Sequence, residues 1–372
     1  MSSERRRARD LGITIGRLPT GPHNAITDVA GVAVGHETII SGDGPLVVGR
    51  GPVRTGVTVV CPHCDGSMTS DPVYAGYHQL NGNGEMTGIA WINEAGLLTS
   101  PVAITNTHSV GVVRDALIAH DIEHNPPDAG EMSWGLPVVG ETYDGWLNDI
   151  NGFHVRRKHL FAALEAAAGG PVAEGNVGGG TGMNCHEFKG GIGTSSRVVA
   201  DEHGGWTVGV LVQANYGGRE DLRVDGVPVG REIGIGEVPT PWPAEPVEGS
   251  IIVVVATDAP LLPDQCRRLA QRATIGLARA GGNGNNGSGD LFLCFSTANR
   301  NLSVEYVFEP IEIKALQAAA LTPLFAAVAE ATEEAIINAL CMAETMTGAN
   351  GRTSHAIPLD HLVEVMRMYG RR

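Results

Sequence analysis

The residues predict a protein of helices packed on sheets, either α+β layers of helix on sheet on sheet or, equally, a doubly wound α/β sheet. Three observations lead there. The stretch Gly249-Ser250-Ile251-Ile252-Val253-Val254-Val255-Ala256-Thr257 holds an unbroken, mostly β-branched apolar run, which reads as a strand buried on both faces. Residues Leu269, Ala273, Leu277 and Ala280 form one apolar stripe in a segment opened by Pro263-Asp264, an amphipathic helix lying on a sheet. Strand-type and helix-type segments also come in runs as well as in alternation, which layers accommodate.

Taken in order, residues 1 to 35 alternate apolar segments with turn signals, among them Gly12 to Gly16 and Asn24 to Asp28. Gly56 to Pro62 is a strand, and Asn81-Gly82-Asn83-Gly84 a loop. Ile89-Ala90-Trp91-Ile92, Leu97-Leu98 and Val102 to Asn106 read as paired strands. A helix runs from about Val110 to Ala119 and stops at Asn125-Pro126-Pro127. Val138-Val139 leads into a strand-end loop, Glu141-Thr142-Tyr143-Asp144-Gly145, and Arg156 to Ala168 is an alanine-rich helix. Two strands flank the glycine-dense stretch after Val177, and Trp206 to Gly217 is a strand that delivers Asn215 to its end. A loop rich in proline and acid, Pro239 to Glu248, feeds the buried strand at Ser250. Beyond it lie the helix ending near Ala280, a glycine-asparagine loop from Gly281 to Gly289 and a strand from Asp290 to Ser296. A long helix over about Leu321 to Thr347 and a closing one over Leu359 to Met368 finish the chain.

Composition narrows the function. The net charge of −15 argues against a nucleic-acid partner, because phosphate binding requires a basic face. The basic cluster Arg5-Arg6-Arg7 with Arg9 reads as a solvated tail. No apolar stretch approaches a membrane span, and no signal-type apolar segment follows the basic start, so the expected location is cytoplasmic. Six cysteines in 372 residues do not make a disulfide framework; Cys61-Pro62-His63-Cys64 has redox-motif spacing but follows a strand instead of opening a helix. Charged residues are only 18% of the chain, which suits a surface partly covered in an oligomer.

The chemistry concentrates at Gly249-Ser250. A serine hydroxyl is a weak nucleophile without a base. If the chain cuts itself before Ser250, the freed α-amino group, with a reference pKa of about 7.7 to 8.0, supplies one on the same residue. Before the cut, the hydroxyl attacks the Gly249 carbonyl and the resulting ester hydrolyses. The bland alternative is a polar residue at a strand start. Ser288 and Asp290, two residues apart at the mouth of another strand, share a face on which a carboxylate can orient a hydroxyl; turn chemistry at a strand entry is the competing reading. Asn215 and Tyr143 can each donate to an oxyanion, or simply satisfy a turn. Gly282 to Gly287 fits G-x-G-x-x-G, but helix precedes and strand follows, which rejects a dinucleotide site. His120-Asp121-Ile122-Glu123-His124 matches an inverted zinc-protease motif, yet falls on a fraying helix end where the helix dipole already favours histidine.

Together these segments resemble the L-aminopeptidase/D-Ala-esterase-amidase family, relatives of the β-aminopeptidases, over essentially the full chain. The resemblance rests on Asn24 to Val29 with Gly31 to His36, Val177 to Arg197, Asn215-Tyr216-Gly217, Gly249 to Ile252 and Gly287 to Asp290. It implies a four-layer αββα sandwich, N-terminal-nucleophile-like with its own strand connectivity. Self-cleavage at Gly249-Ser250 would then divide one αββα domain, residues 1–372, into an α subunit (1–249) and a β subunit (250–372). By the same resemblance Ser250 is the nucleophile, Ser288 and Asp290 support it, and Tyr143 and Asn215 hold the oxyanion. The implied assembly is a homo-oligomer, a tetramer of αβ heterodimers. Implied substrates are small peptides and amino-acid amides and esters, with no cofactor and no metal. Glutamate is the usual acid in relatives that cleave β-peptides, so Asp290 tilts the expectation toward α-peptides. Glu141, two residues before Tyr143, is the expected contact for a substrate ammonium. An acyltransferase of the ornithine-acetyltransferase kind, which favours threonine as nucleophile, and an uncleaved, non-catalytic scaffold are the competing functions.

Overall fold

The structure, a computed structural model, describes residues 4–63, 66–126, 134–242, 249–303 and 308–371. Cys64, Pro127 and the end of the loop before Gly249, including Pro246, Val247 and Glu248, lie outside the described residues.

Two sheets face each other. One has four strands in the order β1 (Ala33–Ser41), β2 (Val53–Cys61), β5 (Val102–Asn106) and β6 (Val138–Thr142). The other has six: β4 (Leu97–Leu98), β3 (Val73–Gln79), β12 (Asp290–Ser296), β11 (Ser250–Thr257), β10 (Thr207–Asn215) and β9 (Gly191–Val198). Two small hairpins, β7 (Asn184–Cys185) with β8 (Phe188–Lys189) and β13 (Met346–Thr347) with β14 (Thr353–Ser354), stand outside the sheets. Helices α2 (Val110–His124) and α3 (Arg157–Glu165) cover the four-stranded sheet, while α5 (Pro263–Arg279) and α6 (Thr322–Met342) cover the six-stranded one. The short α1 (Ile89–Ala95), α4 (Val229–Glu232) and α7 (Leu359–Met368) complete the set.

The result is the four-layer αββα sandwich. Strand β11 shows why its sequence does not alternate. Ile251, Val253 and Val255 pack with α5 and α6, while Ile252, Val254 and Ala256 pack between the sheets with Ile104, Val138 and Leu211. Both faces of a strand in the middle of four layers meet apolar neighbours, so both parities must be apolar.

Two parallel strand pairs set up the site. Strands β11 and β12 run parallel, joined by α5, so their N-terminal ends lie side by side, with Ile251 opposite Asp290. Strands β5 and β6 run parallel, joined by α2, so their C-terminal ends lie together, with Asn106 opposite Thr142. The two sheets approach closely at Gly140, where an added Cβ would stand 3.2 Å from the Ile252 side chain. The end of β6 therefore arrives beside the beginning of β11.

Several expectations change. Ile89 to Ile92 is not a strand: Gly88 and Gly96, both left-handed at φ 75° and 71°, bracket a short helix. Short apolar runs carry no period that separates helix from strand. Leu97-Leu98 and Val102 to Asn106 fall in different sheets and do not pair. Helix α6 ends at Met342, because Met346-Thr347 is claimed by a hairpin with Thr353-Ser354.

The basic start is no solvated tail. Arg5 donates to the carbonyls of Leu340 and Ile357, Arg7 pairs with Glu174 at 2.7 Å, and Arg9 pairs with the fully buried Glu334 at 2.8 Å; only Arg6 of the four is exposed. Glu334 also takes Arg197 at 2.6 Å. A buried carboxylate on α6 is tolerated because cations and donors surround it. Sequence pattern sees a run of like charge; it does not see the distant acids that answer it, Glu334 on α6 and Glu174 beside β9.

Candidate active site

Ser250 opens β11 and is buried, with its Cα paired across the sheet to Asn215. Its Oγ accepts a hydrogen bond of 3.1 Å from the Gly289 amide. The residue before it has to be glycine for a reason of contact: a Cβ on Gly249 would come within 1.7 Å of the Asn215 carbonyl oxygen. Strand β10 thus presses directly on the Gly249-Ser250 bond.

The loop before β12 supplies the next groups. The Ser288 hydroxyl makes a short hydrogen bond to the Gly249 carbonyl and lies 2.7 Å from Asp290 Oδ1. One hydroxyl has one hydrogen, so these two acceptors compete for it. Burial pushes the Asp290 carboxyl above its ordinary pKa. Asn81 clamps the acid from the other side, its Nδ2 at 3.1 Å from Asp290 Oδ2 and its Oδ1 accepting from the Asp290 amide at 2.6 Å. Asn83 ties the same two loops, donating to the Gly287 carbonyl at 2.7 Å.

Asn215 accepts from the Asn184 amide at 2.8 Å through Oδ1 and donates to the Tyr143 carbonyl at 3.0 Å through Nδ2. An amide nitrogen carries two hydrogens. The second remains on the Gly249 side, where Nδ2 stands 3.1 Å from the position of an added Cβ. Tyr143 reaches this cluster by its backbone; its phenol is exposed and lies over Gly145.

Glu141 is a strand residue, not a loop residue in water. It is buried near the end of β6, with Oε1 accepting from the Glu85 amide at 2.9 Å and Oε2 accepting from the Thr107 hydroxyl. Its pKa is raised, first by burial. Gly84 links it to the serine loop: a Cβ there would stand 3.0 Å from Gly289 Cα and 3.4 Å from Glu141 Oε1.

Ser288 and Asp290 are hydrogen-bonded to each other, Ser250 is tied to their loop through the Gly289 amide, Asn215 is the strand neighbour of Ser250, Glu141 lies at the edge of this group, and Tyr143 joins through a carbonyl. Asn81, Asn83 and Thr107 were missed by sequence reasoning. The Asn81-Gly82-Asn83-Gly84 signature showed only a turn, and which strand that turn abuts is a tertiary fact. The histidine motif lies elsewhere. His120 and His124 stack at 3.9 Å between ring centroids, Asp121 accepts from Ser67 and Thr69, and Glu123 pairs with Arg157. These residues flank a cavity of about 340 Å³ at the opposite end of the four-stranded sheet from Glu141. Among the described residues no group of three or more His, Cys, Asp or Glu is arranged to hold a metal ion.

Two sheets between helical layers, with a serine at the first position of an inner strand, define a hydrolase of the N-terminal-nucleophile-like class. The model of peptidase family S58 matches residues 24–354, and the chain belongs to that family, the serine aminopeptidases and amidases. It is similar to the β-peptidyl aminopeptidase BapA of Sphingosinicella microcystinivorans, 51% identical over 380 residues that cover 100% of this chain and 94% of the relative. Among solved structures it is similar to a Burkholderia sp. β-aminopeptidase, with TM-score 0.91 and 52% identity over 99% of this chain and 100% of that one. It is also similar to the L-aminopeptidase D-Ala-esterase/amidase of Ochrobactrum anthropi, with TM-score 0.90 and 46% identity over 98% of this chain and 99% of that one; that structure is described as a new variant among the Ntn hydrolase fold.

Proposed function

We propose that the protein processes itself at Gly249-Ser250 and then, through an acyl-enzyme on Ser250, releases small N-terminal residues from peptides, amides and esters. The observation that carries this reading is the Ser288 hydroxyl on the Gly249 carbonyl, with Ser250 Oγ held close by the Gly289 amide. In the first reaction Ser250 Oγ bonds to the Gly249 carbonyl carbon, and charge grows on the carbonyl oxygen. Ser288, oriented by Asp290, and the second hydrogen of Asn215 stabilise it. The C–N bond breaks, the Ser250 nitrogen takes the hydroxyl proton, and water hydrolyses the ester to leave subunits 1–249 and 250–372. In the second reaction the freed α-amino group takes the Ser250 proton while the hydroxyl attacks a substrate carbonyl. Tyr143 is proposed as a further oxyanion donor, its exposed phenol swinging in over bound substrate.

Glu141 is proposed to receive the substrate ammonium. A buried carboxylate held by a hydroxyl and an amide N–H gains a full charge partner when that ammonium arrives. On stereochemistry and backbone type, the names of the BapA and Burkholderia relatives favour β-residues, whereas the aspartate at 290 favours α-residues. The shorter acid still reaches Ser288 at 2.7 Å, so β-residues and L- and D-α-residues enter the same test. The proposed assembly is a tetramer of the αβ heterodimers, and the proposed location the cytoplasm; no helix among the described residues is long and apolar enough to cross a membrane.

Denaturing electrophoresis with mass spectrometry of purified active protein tests the processing, with two pieces beginning at Met1 and Ser250 expected. Active material that consists only of intact chain overturns it. A panel of p-nitroanilides bearing L-, D- and β-residues then ranks the substrates.

A further inference from the structure

Lys189 ends β8 opposite Asn184 at the open end of the β7–β8 hairpin; it is fully buried, and three carbonyl oxygens converge on it. Its Nζ lies 2.7 Å from the Gly190 oxygen, 2.8 Å from Met183 and 3.3 Å from Gly180. Burial lowers its pKa to about 7, but only the ammonium form has three hydrogens for three acceptors. The Met183 carbonyl belongs to the same peptide unit as the Asn184 amide, and that amide donates to Asn215 Oδ1 at 2.8 Å. Positive charge at one end of this peptide therefore draws electron density away from its N–H and strengthens the bond to Asn215.

The consequence falls on Asn215. An amide side chain presents oxygen on one side and nitrogen on the other, and a rotation by 180° exchanges them. With its oxygen committed to the Asn184 amide, Asn215 must turn Nδ2 toward Tyr143 and Gly249, the orientation in which it can donate to an oxyanion. We infer that Lys189 is a positioning residue for the Asn215 oxyanion donor, acting through the Met183–Asn184 peptide. The inference rests on the oxyanion role proposed for Asn215 above.

A double-mutant cycle tests it, with kcat measured on a p-nitroanilide and normalised to the fraction of chain cut before Ser250. Lys189→Met should lower kcat on the order of tenfold with KM nearly unchanged, less than the roughly 10²- to 10³-fold that loss of an oxyanion donor itself costs. In an Asn215→Ala background the same substitution should change kcat less than twofold, because the group it orients is gone. Lys189→Gln, which keeps a donor for the carbonyls, provides a second variant should the methionine protein not fold, and is expected to lie between wild type and Lys189→Met. Equal effects of Lys189→Met in both backgrounds, or an effect on KM alone, overturn the inference while leaving the role of Asn215 intact. An Asn215→Ala protein with wild-type kcat instead overturns the role of Asn215.

Discussion

The two sheets bring opposite kinds of polar group to the same point. On the six-stranded side every candidate group is answered by another from the same chain: Ser250 by Gly289, Ser288 by Asp290, Asp290 by Asn81, Asn215 by Asn184. On the four-stranded side two carboxylates are buried against hydrogen-bond donors, Glu141 near the end of β6 with the Glu85 amide and the Thr107 hydroxyl, and Asp144 two residues beyond that strand. Asp144 is fully enclosed, with Asn148 donating to it at 3.0 Å and Thr55 and Asn106 alongside, and burial raises its pKa to about 7. Asp290, held by Ser288 and Asn81, is tied into the network proposed to make and break bonds, whereas Glu141 at its edge is the buried acid proposed to receive a substrate's charge. On the proposed roles, chemistry falls to the six-stranded sheet and recognition to the four-stranded one.

Four measurements bear on that division, the largest first. Ser250→Ala removes the nucleophile of both proposed reactions: the chain should stay whole by mass spectrometry, and p-nitroanilide hydrolysis should fall by roughly 10⁴-fold or more. Residual turnover near wild type would place the chemistry elsewhere. Asp290→Ala leaves the Ser288 hydroxyl without the carboxyl that orients it, and kcat should fall by about 10²- to 10⁴-fold with little change in KM. Glu141→Gln should act the other way, raising KM for free-amine substrates by about tenfold or more, as loss of a charge-assisted hydrogen bond of about 1.5–3 kcal/mol implies, while N-acylated substrates barely notice. A kcat effect as large as that of Asp290→Ala would break the division between the sheets.

Asp144 gives the smallest effect and concerns stability alone. Its folded pKa is raised, so the folded state holds a proton that the unfolded state has lost between about pH 4 and pH 7. Its contribution is fully present below about pH 4 and lost as pH rises through about 7. Urea unfolding across that window should show stability declining with pH, and Asp144→Asn should flatten the slope. An unchanged slope would mean that other acids dominate it.

Much of the fold was legible. The β11 run, the β10 strand ending in Asn215, helix α5 and the β12 entry at Asp290 all stand where the residue pattern puts them, because each is long, strongly patterned or bounded by proline and glycine. The failures are short or context-bound. Ile89 to Ile92 was too short to show a period, and the Arg5 to Arg9 cluster could be read only as charge, since its acids sit on α6 and beside β9.

By itself the sequence determined which residue types could do chemistry here, a hydroxyl behind a glycine, a second hydroxyl two residues from an acid, and a strand-end amide. It also determined that the strand carrying the first must be buried on both faces. The tertiary structure decided their company. Parallel pairing of β11 with β12 put Ser288 on the Gly249 carbonyl, the packing of β10 made Gly249 obligatory, and the approach of the sheets at Gly140 brought Glu141 from water into the site. Pattern along a chain reports what each side chain prefers; a hydrogen bond or a carboxylate's burial depends on which distant strand lies against it, and only the folded layers supply that.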